Sequence, residues 1–331
     1  MNTLESIISK AKVTRRRIVL SEGEDPRVVE SAIRAKETLL AVPILLGKED
    51  YIKSQLTKFG ADANEFEIID PTATTKLDQY AKEYALLRKN RIISVEEAAT
   101  KVKEPLNFAA MMVRMKDADG TIGGAVATTS KTVSAALKII GKAEGINTVS
   151  SFFLILLDKP YHPKNTALIF SDCGLVIEPT IIQLIEIAKS SVLSRRSLIG
   201  DEPKVAMLSF STWGSARHKR VRHVAEATAK LKSMLPNLKI DGELQFDAAF
   251  VPSVSSRKSK NSSLQGEANI MIFPNLDAAN IGYKIAERLG GARAIGPILQ
   301  GLSRPANDLS RGCSVDDIYA LIAVTAVQVE D

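Results

Sequence analysis

Short apolar runs separated by helical patterns of about 10–15 residues most constrain what this chain can fold into. The runs at 17–20, 42–46 and 67–69 read as strands, and the stretches at 26–40, 49–59 and 76–89 as helices. Pro26 suits the first turn of its helix. Such alternation builds a parallel sheet covered on both faces. Residues 90–119 read as two further helices, centred on 96–102 and 106–115. A Gly-rich segment at 117–125 follows with a short strand, and Thr128, Thr129 and Ser130 open a helix over 131–140. A second α/β block begins near Gly145. Its strands are expected at 151–157, 167–170, 205–210, 248–251 and 270–273, and its helices at 180–192, 219–235 and 276–289. Residues 293–298 read as the strand that carries the chain back. The expected fold class is α/β: two α/β domains with mainly parallel sheets and a cleft between them. Residues 1–145 with 298–331 form a discontinuous domain I, and 146–297 form domain II.

At 331 residues the chain can bury a substantial core, and 45% hydrophobic with 25% charged residues is the balance of a soluble globular protein. The longest apolar run, 152–157, is far short of the roughly 20 residues a membrane span needs. Residues 1–12 include Glu5 and lack the continuous apolar core of a signal peptide, so a cytoplasmic protein is expected. The two cysteines, Cys173 and Cys313, and the three histidines, His162, His218 and His223, have no zinc-site spacing. No metal is expected. The net charge of +6 suits anionic ligands but is spread along the chain, which argues against nucleic acid.

The C-terminal stretch carries the chemistry. Residues 301–312 have the composition of an irregular loop, and a helix should start at Ser314, with Asp316 and Asp317 in its first turn. Arg311 and Asp317 then flank free backbone N–H groups, an arrangement that receives a phosphate or another anion. Plain helix capping explains Ser314 and Asp317 equally well. It does not explain Asn307, Asp308, Ser310 and Arg311 crowded into the loop upstream. The glycine turn feeding Thr128–Ser130 is either a phosphate cradle or a tight packing turn, and it matches neither G-x-G-x-x-G nor G-x-x-x-x-G-K-[ST].

The run Asn307-Asp308-Leu309-Ser310-Arg311-Gly312-Cys313-Ser314, with Asp317 beyond it, resembles the C-terminal signature of the phosphate acetyltransferases. The run from Phe273 to Lys284, with Asn280-Ile281-Gly282-Tyr283, is similar to a second signature of that family. The resemblance extends over essentially the whole chain. It implies the reversible reaction of acetyl-CoA with phosphate to give acetyl phosphate and CoA. It implies CoA as a substrate with no tightly bound cofactor, and a homodimer. The two-domain architecture also resembles isocitrate and isopropylmalate dehydrogenases. The chain shows no clear metal-binding aspartate cluster of the kind those enzymes use.

By the resemblance, Arg311 holds the phosphate of acetyl phosphate, Ser310 bonds the oxyanion and Asp317 takes the CoA thiol proton. A free thiol titrates near 8.5 and a free Asp near 3.9, so full transfer costs roughly 6 kcal/mol. A carboxylate serves there only if proton loss accompanies C–S bond formation or burial favours the acid. Arg88 matches a family arginine associated with CoA or phosphate. Thr128, Thr132, Asn280, Tyr283 and Asn307 are further candidate substrate-binding residues. Covalent routes through Ser310 or through Cys313, whose position beside a helix N-terminus can lower a thiol's pKa, compete with direct attack by CoA. The run Arg217–Arg222 either meets the phosphates of CoA or is a solvated helix face. Residues 255–263 read as a mobile polar loop.

One departure stands out. Where the family pattern continues Val-Arg after its hydroxyl-rich turn, this chain has Val133-Ser134, and Lys131 is a point charge one helical turn earlier. Three readings therefore compete with acetyl transfer: a butyryl- or propionyl-phosphate transferase, an acetyl-CoA-sensing module without catalysis, and a dehydrogenase of the type above.

Overall fold

The computed structural model describes residues 3–88, 93–164 and 166–329. Lys89 and Asn90, at the expected boundary between two helices, lie outside them. Two compact units emerge: Thr3–Glu144 with the residues from Leu302 on, and Gly145–Gly301.

The first unit begins with α1 (Thr3–Thr14), β1 (Arg17–Leu20), α2 (Pro26–Glu37), β2 (Val42–Leu46), α3 (Glu49–Lys58) and β3 (Glu67–Ile69). Asp25 caps α2, accepting from the Arg27 N–H at 2.9 Å, with Pro26 in the first turn as its fixed φ favours. Next come α4 (Leu77–Leu87), α5 (Val95–Val102), α6 (Pro105–Arg114) and β4 (Gly120–Gly123). A helix α7 (Thr129–Ala135) continues as a π-helical turn over Ala136–Ile140.

The second unit holds β5 (Ser150–Leu157), β6 (Thr166–Ser171), α8 (Ile181–Leu198), β7 (Lys204–Leu208), α9 (Lys219–Met234), β8 (Lys239–Leu244), α10 (Phe246–Phe250), α11 (Pro252–Lys258), β9 (Ile270–Ile272), α12 (Leu276–Arg288) and β10 (Arg293–Gln300). Its sheet runs β10-β5-β6-β9-β7-β8, with β10–β5 and β5–β6 antiparallel and the rest parallel. The strand expected at 293–298 forms as β10, an antiparallel edge of this second sheet. Two expectations are corrected here. Residues 248–251 lie in and just after α10, not in a strand, and the strand of that region is β8. Residues 255–263, expected as a polar loop, begin as α11, and Ser255, Ser259 and Ser262 are buried, with the Ser255 and Ser259 hydroxyls 3.2 Å apart.

The chain then returns to the first unit through β11 (Ala306–Asp308) and α13 (Val315–Val327). The first sheet is parallel throughout, in the order β11-β4-β1-β2-β3. β11 corrects the reading of 301–312 as irregular. α13 is buried over Ile318–Ala326 and packs on α1, α2, β1 and β4. A helix apolar all round is one the core encloses, so the segment that starts with the candidate loop ends as the centre of its unit.

Candidate active site

Three turns of the first unit meet at the carboxyl ends of β1, β4 and β11. The strand pairing itself brings Asp308 beside Gly123, and the Leu309 N–H donates to the Gly123 carbonyl at 2.7 Å. Gly124 has φ +101°, and a Cβ there would strike the Asp308 carboxylate and the Leu309 backbone, so the turn admits glycine alone. Glu22, in the turn after β1, accepts at Oε1 from the N–H groups of Val126 (3.2 Å) and Ala127 (2.7 Å).

Arg27 locks these turns together. Its Nη1 donates to the carbonyls of Arg311 and Cys313, at 2.9 Å each, and its Nη2 to the Ala125 carbonyl at 3.0 Å and to Asp25 Oδ2 at 2.8 Å. The same guanidinium holds the Asp25 carboxyl below its ordinary range. Nothing in the local sequence marks Arg27, because all of its loop partners lie about a hundred or more residues away.

Within the loop, Ser310 and Arg311 are exposed and Asp317 is half-buried. The Arg311 side chain has no hydrogen bond or ion pair among the described residues. Ser314 and Asp317 form a complete capping box: Asp317 Oδ2 accepts from the Ser314 N–H at 2.9 Å and its hydroxyl at 2.8 Å, while Ser314 Oγ accepts from the Asp317 N–H at 3.2 Å. The N–H of Gly312 bonds Ser310 Oγ at 3.3 Å and that of Cys313 the Ser310 carbonyl at 2.9 Å. The N–H groups of Gly312, Cys313 and Ser314 are thus satisfied inside the loop, which leaves fewer donors between Arg311 and Asp317 than expected, and the Arg311 fork is the free side-chain group for an anion. Burial pushes the Cys313 thiol up, with Arg27 opposing, contrary to the lowered thiol that a nucleophilic role needs.

Beside these turns lies a cleft of about 1200 Å³ in the first unit, lined among others by Glu22, Arg88, Lys131, Ser134 and Lys138. Arg88, Lys131 and Lys138 have no carboxylate partner among the described residues. Ser134, where the family pattern has arginine, thus faces the same space as Arg88. Thr128 is the N-cap of α7, exposed and with no capping bond from its side chain. Two expected substrate residues turn elsewhere. Thr132 is buried, with its hydroxyl 3.4 Å from the Thr128 carbonyl. Asn307 is 1% exposed, and its amide donates to Thr325 Oγ1 (2.9 Å) and Gln328 Oε1 (2.6 Å). It ties β11 to α13 and does not reach solvent.

Beneath the glycine turn, Asp308 is fully buried, and neither carboxylate oxygen has a hydrogen-bonding partner. Burial pushes its pKa up to about 6, with the Thr129 and Thr132 hydroxyls and Arg311 lowering it and Glu22 raising it. The hydroxyls lie near enough to act on its charge without forming hydrogen bonds of normal geometry. Glu22 Oε2 is likewise buried without a partner. Asp308 was visible in the motif as a polar residue, but its isolation was not.

Asn280 and Tyr283 belong to the second unit. The Asn280 amide donates to the Cys173 carbonyl at 3.3 Å. Tyr283 stacks on Phe153 with centroids 4.0 Å apart, and burial pushes its phenol up to about 12. Gly282 is accounted for by packing: a Cβ would sit 3.2 Å from the Phe273 ring.

A sequence model described as phosphate acetyl/butaryl transferase matches residues 2–326. The chain belongs to that family. The phosphate acetyltransferase of Paracoccus denitrificans is 48% identical over 99% of both chains. A phosphotransacetylase from Streptococcus pyogenes superposes with a TM-score of 0.92 at 40% identity, over 99% of this chain and 98% of that one. The EutD phosphotransacetylase from Staphylococcus aureus gives 0.89 at 39%, with the same coverage. Membership of the phosphate acetyl/butaryl transferase family replaces the dehydrogenase reading. Among the described residues no group of three or more His, Cys, Asp or Glu could hold a metal ion, and no helix is long and apolar enough to cross a membrane.

Proposed function

We propose that this member of the family moves an acetyl group reversibly between CoA and phosphate, by direct attack of CoA on acetyl phosphate with both substrates bound. The CoA sulfur forms a bond to the acetyl carbon, the thiol proton passes to Asp317, and the C–O bond to phosphate breaks as phosphate leaves. Arg311 holds the phosphoryl oxygens bidentately, and the Ser310 hydroxyl donates to the oxyanion of the tetrahedral intermediate. Arg88 and Lys131 bind the remaining anionic groups in the cleft, with Thr128, at the N-cap of α7, as a further donor. The carrying observation is the unpaired Arg311 guanidinium, on a loop that Arg27 clamps through the Arg311 and Cys313 carbonyls and that leads into the half-buried Asp317. The reading needs no bound cofactor and gives Asn280 and Tyr283 no role. On the family resemblance we also infer a homodimer.

The test is acetyl-CoA formation from acetyl phosphate and CoA, followed by thioester absorbance on the purified protein. Turnover is expected, with butyryl phosphate used at a kcat/KM at least about tenfold lower, since each extra methylene in a fitted pocket costs about 1–3 kcal/mol. Folded protein that binds acetyl-CoA but never turns over would establish the sensing reading instead. A Ser134→Arg variant restores a fork facing Arg88, and a hydrogen bond to a charged group contributes about 1.5–3 kcal/mol. Its KM for CoA or for acetyl phosphate should therefore fall by about tenfold or more. If neither KM moves, the cleft at Ser134 does not hold the substrate anions.

A further inference from the structure

Two carboxylates of the first unit are left unsatisfied by the fold. Asp308 is fully buried at the end of β11 with neither oxygen partnered. Glu22, in the turn after β1, holds the Val126 and Ala127 N–H groups with Oε1, but its Oε2 is buried without a partner. β4 lies between β11 and β1 and ends in Gly123, with Gly124 next. A side chain at Gly124 would take the place of Asp308 Oδ1, and one at Gly123 that of Ser21 Oγ, beside Glu22. The two carboxyls therefore approach one another across the bare end of β4, and the charge of Glu22 acts on Asp308.

An ionised carboxylate only accepts hydrogen bonds, so two that meet leave each other unpartnered. A buried group in that state is costly. One proton between them turns the same approach into a hydrogen bond and removes one of two like charges. The pair also adjoins the reactive loop. Asp308 leads directly into Leu309, Ser310 and Arg311, and the charged groups acting on it are Glu22, from the turn after β1, and Arg311, from its own loop. α7 presents only the Thr129 and Thr132 hydroxyls to it, and Glu22 in addition acts on Arg27.

We propose that Asp308 and Glu22 share one proton, and that this makes Asp308 a positioning residue for the anion held by Arg311. With the proton in place, the turn after β1 and the Ser310–Arg311 loop are joined, and the arginine fork is free for its ligand. Once the proton is lost, the two like charges push the turns apart, and the Asp308 carboxylate competes for Arg311. The proposal rests on the acyl-transfer reading only for what Arg311 binds.

Infrared difference spectra of the full chain read the proton directly, without turnover. They are taken at about pH 5.5, below the value of about 6 to which Asp308 is pushed. The carbonyl band of one un-ionised carboxyl should be present in the wild type and absent from both Asp308→Asn and Glu22→Gln, since the amide of the latter donates to an ionised Asp308. The kinetic arm uses sulfate, whose charge is constant over this range, as a competitive inhibitor against acetyl phosphate. Its inhibition constant should rise at least about threefold between about pH 5.5 and 8 in the wild type, the effect of one charge gained close by, and stay level in Asp308→Asn. A role in folding alone would not separate the two pH profiles. No band in the wild type, or a band that survives Glu22→Gln, overturns the proposal, as does a sulfate constant that rises equally in both proteins. A band with the expected losses in a protein that never turns over would instead overturn the acyl-transfer reading and leave the shared proton standing.

Discussion

Asp317→Asn is expected to lower kcat for acetyl-CoA formation by about 10²–10⁴, the usual contribution of a positioned general base, while leaving the fold intact. The capping box makes this a clean substitution. Asp317 Oδ2 accepts two hydrogen bonds from Ser314, and the amide oxygen of asparagine can accept both. What asparagine cannot do is take a proton from the CoA thiol. Thermal unfolding measured beside the kinetics separates the two roles, with the midpoint expected within a few degrees of wild type. Ser314→Ala is the converse control. It removes a helix cap, at about 1 kcal/mol, without touching the proton acceptor, so its kcat should stay within a few-fold. If Asp317→Asn keeps its kcat within about fivefold, the carboxylate is a cap only.

The second large effect is on stability. Asp308 carries its proton up to about pH 6 in the folded protein, against an ordinary value of 3.8. Between those values the folded state binds a proton that the unfolded chain has released. Stability from this group is therefore greatest below about pH 4, falls as pH rises towards 6, and stays reduced by about 3 kcal/mol above it. Asp308→Asn is nearly isosteric and never ionises. It should unfold at the same urea concentration as wild type near pH 4 and be about 3 kcal/mol more stable at pH 8. The quantity to read is the difference between the two proteins, because Asp25, Asp117 and Asp247, with lowered values, act in the opposite sense in both. Parallel stability curves for the two proteins would show that the carboxyl is not isolated as the structure has it.

The sheets were legible wherever a strand was apolar along its length. β8 was not, because it carries Lys239, Asp241, Gly242 and Glu243. Its buried carboxylates are satisfied by distant partners: Asp241 by Lys232 at 2.8 Å, and Glu243 by the Ser211 hydroxyl at 2.9 Å and the Gly214 N–H at 2.6 Å. The neighbouring Phe-Asp-Ala-Ala-Phe run is short and apolar, and periodicity cannot tell a helix from a strand there. β11 is three residues long inside loop composition, and only its pairing with β4 defines it. In the site the same division holds. The Ser314 cap and the Asp317 partner three positions along the motif could be read from spacing. The Arg27 clamp and the unpartnered Asp308 could not, since each depends on turns brought together by the strand order of the first sheet.

That strand order also bears on synthesis. The second unit is made of continuous chain, so all of Gly145–Gly301 has been translated before β11 and α13 appear. Domains fold as units while the chain grows, so the second unit can be complete while the first still lacks both an edge strand and the helix at its centre. A nascent chain that has emerged only as far as Gly301 would hold one finished sheet, and a second with β4 unpaired along one side and no reactive loop. Ribosome-stalled chains of increasing length should therefore gain protease resistance in the second unit first. The first unit should gain it in a single late step, as α13 clears the exit tunnel.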